Sequence, residues 1–351
     1  MSLPPPPEGV REAFELQAHF CGVLGSPLYE RLLRCALADF VRGGAVARVF
    51  EGWSGHAMAQ AVVLRLLGGV HALVLSGEEK ELARFFPSAG GGPGEGVEEA
   101  FLDCVGRNVE FLRRKIREPV QTNEVGRSAA LLGGFLEIAR RTRLPLRCLE
   151  IGASAGLNLW WDRYRYELGP YRWGDPASSV RLTARWAGPP PPLESRVEVA
   201  ARAGCDPAPV DLRDPAARLR LESFVWPDQV ERFSVLRAAI AHASANPPAV
   251  EKAPGSQWLS RVLLPLPRGL ATVVYHSIVW WYLGEEERQK IAEILARAAS
   301  EASASAPLAW LRLEHFTSER PDLLCTFWPG GEEKTLARAH PHGFEVEWLV
   351  P

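Results

Sequence analysis

A short segment in the middle of the chain combines a carboxylate with two glycines. It reads Glu150-Ile151-Gly152-Ala153-Ser154-Ala155-Gly156 and includes the end of a strand-like run, residues 146–151. A parallel strand that enters a helix through a Gly-containing turn exposes backbone N–H groups, which can bind polar groups of a ligand. Glu150 lies at the carboxyl end of the strand, the edge at which open α/β sheets bind ligands. The segment therefore predicts a site for a nucleotide-type cofactor.

The spacing within this turn distinguishes between cofactors. An acidic residue followed by G-x-x-x-G, here Gly152 and Gly156, suits S-adenosylmethionine (SAM). A dinucleotide site would read G-x-G-x-x-G. Ser154 replaces the second glycine of that pattern and Leu157 the third, so NAD is disfavoured.

The same five residues match G-x-S-x-G, the nucleophile elbow of α/β-hydrolases, with Ser154 as nucleophile. Asp322 and a late histidine, His340 or His342, would complete the required order. Against this, the sequence before Leu146 predicts helices rather than the several strands that normally precede an elbow, and no HGGG-type oxyanion sequence precedes the serine. A third interpretation is a tight β–α turn that binds no ligand.

Four further residues carry side chains suited to catalysis or cofactor binding. His276 ends the strand pattern 270–276 and can act as a general base if the acceptor is protonated; the alternative is a hydrogen-bonded structural histidine. Tyr275 has the same two interpretations. Asn123 and Arg127 precede the first strand, where a helix can close over a cofactor; the alternatives are helix capping and a surface ion pair.

These residues must be positioned by alternating strands and helices. Residues 1–120 predict a helical N-terminal region, in which Ser26-Pro27 begins one helix, Gly43-Gly44 ends it, and 97–117 form another. Residues 121–351 predict a Rossmann-like domain with a β-hairpin insertion near 164–195. Its expected strands are 146–151, 196–205, 249–252, 270–276, 308–315, 322–328 and 344–350. The pattern indicates an α/β fold with a mainly parallel sheet and an antiparallel C-terminal hairpin.

Composition excludes several classes of protein. Forty Lys and Arg against 42 Asp and Glu leave a net charge of -2, so no overall field favours nucleic acid or an anionic membrane. Neither a membrane span nor a signal-peptide layout is expected. The six cysteines form no CxxC pair, which predicts reduced thiols in a cytoplasmic protein. His340 and His342 lack a partner pattern, so no metal is predicted.

Several motifs along the chain resemble the bacterial family of uncharacterised proteins known as DUF2332. The matching pieces span nearly the whole sequence. They are Gln17-Ala18, Gly25-Ser26-Pro27-Leu28-Tyr29, Thr122-Asn123-Glu124-Val125-Gly126-Arg127, Ile151-Gly152-Ala153-Ser154-Ala155-Gly156-Leu157-Asn158, Asp162-Arg163-Tyr164, Val225-Trp226-Pro227-Asp228-Gln229, His276-Ser277, Trp328-Pro329-Gly330-Gly331 and His342-Gly343.

Residues 144–351 also resemble class I SAM-dependent methyltransferases, more loosely. The resemblance implies a seven-stranded sheet in which Glu150, Gly152 and Gly156 border the methionine end of SAM. It further implies that Asp206 accepts hydrogen bonds from the ribose hydroxyls, and that Tyr275-His276-Ser277 faces the transferred methyl group. With the other residues of the turn and the two residues before the first strand added, the expected cofactor-binding residues are Glu150, Gly152, Ser154, Gly156, Asn158, Asp206, Asn123 and Arg127. The expected catalytic residues are His276 and Tyr275.

The sequence departs from the methyltransferase pattern in three places. Ser154 replaces the central glycine of the first motif, Asp206 follows that motif by about 50 residues, and no acidic residue stands at Ala253-Pro254-Gly255. The leading hypothesis is a SAM-dependent methyltransferase acting on a small molecule. The alternatives are a serine hydrolase that uses Ser154 and a non-catalytic SAM- or nucleotide-binding protein.

Overall fold

A computed structural model describes residues 9–315 and 320–351 of the chain. The chain divides into two compact units. The first unit comprises Met1–Thr122 and Arg213–Arg237, and the second comprises Asn123–Leu212 and Ala238–Pro351. The first unit is therefore discontinuous in sequence, because a segment inserted in the second completes it.

Helices form the first unit and flank the sheet of the second. In chain order they are α1 (Val10–Val23), α2 (Pro27–Val41), α3 (Ala45–Phe50), α4 (Val62–Leu75), α5 (Lys80–Ala83), α6 (Val97–Arg107), α7 (Val109–Lys115), α8 (Ser128–Thr142), α9 (Pro215–Ser223), α10 (Val230–Ala245), α11 (Gly255–Val262) and α12 (Glu285–Ser300). Short 3-10 helices cover Pro87–Ala89, Val125–Arg127, Leu157–Arg163 and Trp280–Tyr282. Among the described residues, no helix combines the length and apolarity needed to cross a bilayer.

The ends of α2 follow directly from its sequence. Ser26 Oγ accepts a hydrogen bond from a backbone N–H of the first turn, and Pro27 occupies a position where a missing N–H costs nothing. Just beyond the helix, Gly43 adopts a φ of 76°, which glycine tolerates without strain. The predicted start and stop of this helix are confirmed.

The core of the first unit includes residues from both of its segments. Phe14 and Phe50 pack edge to face with ring centroids 5.8 Å apart. Trp226, from the inserted segment, joins the same core and is 7% exposed. Asp228 accepts a hydrogen bond from the hydroxyl of Ser26 at 2.5 Å. The inserted segment therefore supplies both apolar packing and a helix-start contact to this unit.

Within the described residues, eleven strands form one sheet in the order β3-β2-β4-β11-β10-β9-β8-β7-β1-β5-β6. The strands are β1 (Leu146–Ile151), β2 (Arg165–Leu168), β3 (Tyr171–Trp173), β4 (Arg181–Ala187), β5 (Val199–Asp206), β6 (Val250–Lys252), β7 (Ala271–Ser277), β8 (Leu308–Glu314), β9 (Asp322–Trp328), β10 (Glu332–Ala339) and β11 (Glu345–Trp348). Strands β6, β5, β1, β7 and β8 are parallel, and β8 to β11 alternate in direction. The predicted mixed α/β architecture with a mainly parallel sheet is confirmed.

The parallel strands follow the 3-2-1-4-5 order of doubly wound sheets. From β1 the chain proceeds outward to β5 and β6, and it then returns to the other side of β1 to form β7 and β8. The order reverses between β1 and β7. Ligands of such sheets bind outside the carboxyl ends of the strands at this switch point.

The two faces of the central strands bury alternate residues. On one face, Phe135 of α8 stacks on Trp161 at 4.1 Å and meets Tyr275 edge to face at 5.0 Å. On the other face, Ile151 and Val274 pack in the core formed with α11 and α12. Neighbouring residues of β7 therefore point to opposite faces, as a strand requires.

Two details predicted from the sequence are wrong. The helix expected over 97–117 is interrupted at Asn108, where α6 ends and α7 begins. The two expected terminal strands are in fact three, because β10 follows Gly330-Gly331 and precedes β11. The first four residues of β10 are exposed, so its sequence lacks the apolar alternation that marks a half-buried strand.

Candidate functional site

The turn after β1 places two glycines under side chains of the same unit. Gly152 has a φ of 71°, and a Cβ added to it would lie 2.5 Å from Val279 Cγ2. Gly156 has a φ of 73°, and its Cβ would lie 2.5 Å from Pro248 Cγ. Only glycine fits at either position, because the backbone conformation requires it and because the Val279 and Pro248 side chains approach closely. Gly152 keeps partial solvent exposure, whereas residues 153–157 are buried.

The backbone amides of this turn donate hydrogen bonds within the unit. Gly152 and Ala153 donate to Cys205 O, Ser154 donates to Asp206 Oδ2, Gly156 donates to Ala153 O, and Leu157 donates to Asn123 Oδ1. The expectation of amides open to a ligand is therefore wrong for these five groups. Apart from Ala153 O, which belongs to the turn itself, these acceptors come from β5 and from residues before α8, so the sequence did not reveal them.

Two carboxylates lie at the ends of adjacent strands. Glu150 is 2% exposed and accepts a hydrogen bond from the hydroxyl of Tyr275 at 3.1 Å. Burial raises the pKa of Glu150 to about 8, the Tyr275 hydrogen bond lowers it, and the nearby charge of Asp206 raises it. Asp206 ends β5, and its two oxygens accept hydrogen bonds from Ser154 N and Ala208 N at 2.9 and 2.8 Å. These two carboxylates give the edge of the sheet an acceptor-rich, acidic character.

The segment before α8, which contains Asn123 and Arg127, is hydrogen-bonded to other parts of the second unit, and Asn158 lies beside it. Asn158 accepts a hydrogen bond from the hydroxyl of Ser128 at 2.8 Å and donates to the carbonyl of Glu124 at 3.3 Å. Arg127 donates to the carbonyl of Ser277 at 2.9 Å, at the end of β7, and to a carbonyl in the turn after β10 at 3.0 Å. Segment 123–127 is thereby fixed across the carboxyl ends of β1 and β7.

A buried histidine–carboxylate pair lies on the other side of the switch point. His276 Nδ1 is 2.6 Å from Glu314 Oε1, and the two side chains are 0% and 2% exposed. When the imidazole is neutral and the carboxylate is ionised, this contact places the imidazole proton on Nδ1 and leaves a lone pair on Nε2. That Nε2 atom is buried and has no hydrogen-bond partner among residues 9–315 and 320–351.

The sequence predicted His276 but missed Glu314. Both residues stand at the ends of neighbouring parallel strands, one residue before the end of β7 and at the last residue of β8. The position of a carboxylate at a strand end was the available signal. The strand pairing that brings it beside His276 joins residues 38 apart in sequence.

Tyr275 lies on the opposite face of β7 from His276. It is fully buried, and burial raises the pKa of its hydroxyl well above the usual value. Besides Glu150, the hydroxyl lies 3.3 Å from the carbonyl of Asn158. Of the two predicted catalytic residues, Tyr275 is thus part of a buried hydrogen-bonding group, and His276 Nε2 has no hydrogen-bond partner in the described part of the chain.

One segment, residues 278–283, covers the switch point. Val279 packs on Gly152, and the indole of Trp280 stacks on His276 with ring centroids 5.1 Å apart. Ile278 has a φ of 51°, a conformation that a β-branched residue adopts only under strain. Trp281 and Tyr282 at the tip are 77% and 74% exposed. We call this segment the 278–283 cover.

The residues of the hydrolase alternative lie on separated strands. Ser154 is 4% exposed and is joined to β5 through Asp206. Asp322 begins β9 and lies 3.4 Å from Arg338 Nε, and His340 stacks on Phe344 at 3.7 Å. Strands β1 and β9 are three positions apart in the sheet, about 14 Å at the usual strand spacing. Within the described part of the chain, no group of three or more His, Cys, Asp or Glu side chains is arranged to hold a metal ion.

The chain belongs to the family described as uncharacterized proteins conserved in bacteria, DUF2332, which matches residues 11–348. No curated protein and no solved structure matches the chain.

Proposed function

We propose that this member of the DUF2332 family is a SAM-dependent methyltransferase that acts on a small molecule. The observation that carries the proposal is the set of groups around the switch point between β1 and β7. Glu150 and Asp206 lie at the carboxyl ends of β1 and β5 on one side, and His276 and Glu314 lie at the carboxyl ends of β7 and β8 on the other. Acidic groups suit the binding of a cation and a buried base suits the removal of a proton, and both kinds of group lie at the carboxyl ends of these neighbouring strands.

The carboxyl groups of Glu150 and Asp206 at the edge of the sheet are chemically suited to SAM. SAM carries a sulfonium and an ammonium group, and a buried carboxyl such as Glu150 binds such a cation in its ionised form, releasing the proton that it otherwise keeps up to about pH 8. Glu150 and Asp206 would hold the cofactor, with Asp206 as the acceptor for its ribose hydroxyls. When bound, SAM supplies an electrophilic methyl group.

The residues of the chain would handle the proton of the acceptor. His276 Nε2, with its lone pair, would accept the proton that a hydroxyl or amine releases as it is methylated. Glu314 holds the ring through Nδ1 and stabilises the imidazolium that forms, as a carboxylate does in other histidine–carboxylate pairs. Because the base acts only on a protonated acceptor, the proposal is specific for hydroxyl or amine substrates.

The proposed reaction requires the 278–283 cover to move. Val279 lies on Gly152, and Trp280 lies on His276, so the same segment blocks both the cofactor side and the base. The strained backbone of Ile278 costs of order 1 kcal/mol or more, which an altered conformation would recover. Movement of such a segment is a common way for enzymes to admit substrate and then exclude water.

Isothermal titration calorimetry with SAM and with S-adenosylhomocysteine tests the proposal. The wild-type protein should bind both, and Asp206→Asn should bind SAM at least tenfold more weakly. The Asn side chain keeps an oxygen to accept from Ser154 N, so the turn retains that contact. Asp175→Asn is the matched control, because Asp175 is an exposed aspartate of the same unit that also accepts a backbone hydrogen bond. If neither SAM nor S-adenosylhomocysteine gives a heat of binding, and neither affects titration of the other, the proposal is contradicted.

One observation favours the serine-hydrolase alternative. Ser154 has a φ of 54°, and positive φ at the nucleophile is the strained conformation expected of a nucleophile elbow. A fluorophosphonate probe should then label the wild-type protein and leave Ser154→Ala unlabelled. Equal labelling of the two proteins, or none, rejects this alternative. SAM binding without methylation of any hydroxyl or amine compound would instead support a non-catalytic binding protein.

A further inference from the structure

A cavity of about 140 Å³ lies within the first unit, between α4, α7 and α9. Its wall is largely apolar, with Leu73, Phe111 and Phe224 among the lining residues. It reaches solvent beside the exposed residues Glu78 and Ala216. An apolar cavity of about 150 Å³ in another protein accommodates benzene, so this one has room for a body of that size.

Three cations line the same cavity. They are Arg65 of α4, Lys115 of α7 and Arg220 of α9. Lys115 is paired with Glu118 at 3.1 Å, and Arg220 Nε lies 3.7 Å from the same carboxylate. Glu118 therefore balances only part of this positive charge.

Arg65 has no carboxylate within ion-pair distance among the residues that the structure describes. Its Nη1 donates to the carbonyl of Ile116 at 3.1 Å. Its Nε, like the Nε of Arg220, is buried without a hydrogen-bond partner in the described part of the chain. Burial first, and then the charge of Arg220, lowers the pKa of Arg65. Arg65 is therefore a partly buried cation without an anionic partner in the described part of the chain, whereas Arg220 shares Glu118 with Lys115.

The remaining acidic group of the wall is engaged elsewhere. Glu78 accepts a hydrogen bond from the hydroxyl of Ser76 at 3.1 Å and is exposed. Gly68 and Gly69, in the middle of α4, also line the cavity. A Cβ on Gly69 would lie 2.8 Å from Leu112 Cδ2 and one on Gly68 would lie 2.8 Å from Phe224 Cε1, so the glycines let α7 and the end of α9 approach.

We propose that this cavity binds a small organic anion, a carboxylate attached to an apolar body about the size of a benzene ring. The apolar wall takes the body, and the guanidinium groups of Arg65 and Arg220 take the carboxylate. Guanidinium groups are well suited to this, because their planar array of donors matches a carboxylate. This site is independent of the methyltransferase proposal and concerns the first unit alone.

Benzoate is the probe, and its binding is followed by calorimetry and by protein-detected NMR on the full chain. Wild type should bind benzoate at one site and at least tenfold more tightly than benzyl alcohol or inorganic phosphate. Arg65→Gln should weaken benzoate binding at least tenfold. Arg84→Gln should leave it unchanged, because Arg84 is an exposed arginine of the same unit that is paired with Glu81 on the surface.

A second variant keeps the test decisive if Arg65→Gln unfolds. Ala72 lines the cavity, and Ala72→Leu would fill it without altering a charge. Loss of benzoate binding in Ala72→Leu, with an unchanged circular dichroism spectrum, supports the site. Equal affinity for benzoate and benzyl alcohol, tighter binding of phosphate than of benzoate, or unchanged benzoate affinity in either folded variant overturns it.

Discussion

His276 Nδ1 and Glu314 Oε1 are 2.6 Å apart at the ends of two neighbouring parallel strands, and both side chains are buried. The same carboxylate oxygen also accepts a hydrogen bond from Val279 N at 2.9 Å, so it holds both the histidine and the beginning of the 278–283 cover. One acidic residue thereby links the proposed base to the segment that hides it.

Removing this carboxylate should destabilise the protein. Glu314→Ala leaves the buried His276 Nδ1 and the part-buried Val279 N without their acceptor, and we expect a loss of about 2–4 kcal/mol in the free energy of unfolding. Urea denaturation at pH 7 measures it. Glu293→Ala, an exposed glutamate of α12, should leave the midpoint unchanged. Equal midpoints for the two variants would contradict the role assigned to Glu314.

Gly152 should tolerate a methyl group only when Val279 is shortened. Gly152→Ala is expected to cost about 2–4 kcal/mol, from a contact of 2.5 Å with Val279 Cγ2 and from a φ of 71°. The double variant Gly152→Ala with Val279→Ala should recover at least about 1 kcal/mol relative to the sum of the single changes. Gly269→Ala isolates the backbone effect, because Gly269 has a φ of 81° and open space at its Cβ. Strict additivity would show that Val279 does not press on the turn.

The buried carboxyl of Glu150 should make the protein less stable at alkaline pH. Burial raises its pKa from 4.5 to about 8, so the folded state keeps the proton that the unfolded state releases. The stabilisation is complete below pH 4.5 and is lost as the pH rises through about 8. Glu150→Gln should therefore gain on the order of 4 kcal/mol relative to wild type between pH 5 and pH 9, measured by urea denaturation. The exposed Glu194→Gln should show no such gain, and parallel pH profiles for wild type and Glu150→Gln would disprove the assignment.

His71 should impose the opposite dependence on the first unit. Its Nδ1 donates to the carbonyl of Ser223 at 3.0 Å, and its Nε2 accepts from the hydroxyl of Ser88 at 2.7 Å. Burial lowers its pKa from 6.5 to about 4, so the unfolded state binds the proton first and stability falls as the pH drops through that range.

Protonation of His71 in the unfolded state should lower the free energy of unfolding by about 2.5 kcal/mol at pH 4.5 relative to pH 7, and His71→Asn should lack this loss. Denaturation at the two pH values provides the comparison. His19→Asn is the control, since His19 is exposed on α1. An unchanged pH dependence in His71→Asn would refute the prediction.

The sequence predicted those parts of the fold that short-range patterns determine. The bounds of β1 and β9 are those expected, because a run of apolar residues between turn signals specifies a buried strand. The α9 segment was missed, since its helix carries only a weak apolar face and its place in the first unit depends on contacts with residues far earlier in the chain.

The candidate site was predictable residue by residue but not in its arrangement. The sequence identified Gly152, Asp206 and His276 from their places at strand ends. It could not reveal that Asp206 accepts from Ser154 N or that Trp280 stacks on His276, because these contacts depend on strand pairing and loop packing. Such long-range pairing is not encoded in local periodicity.

The discontinuous first unit also affects how the protein is made. The ribosome releases residues 1–122 before it has synthesised Trp226, which belongs to their apolar core, and Asp228, which receives the Ser26 hydroxyl. At ordinary elongation rates, the intervening hundred or so residues take on the order of ten seconds. For that interval the nascent chain carries an incomplete hydrophobic core, a period in which a chaperone that recognises exposed apolar helices would find its substrate.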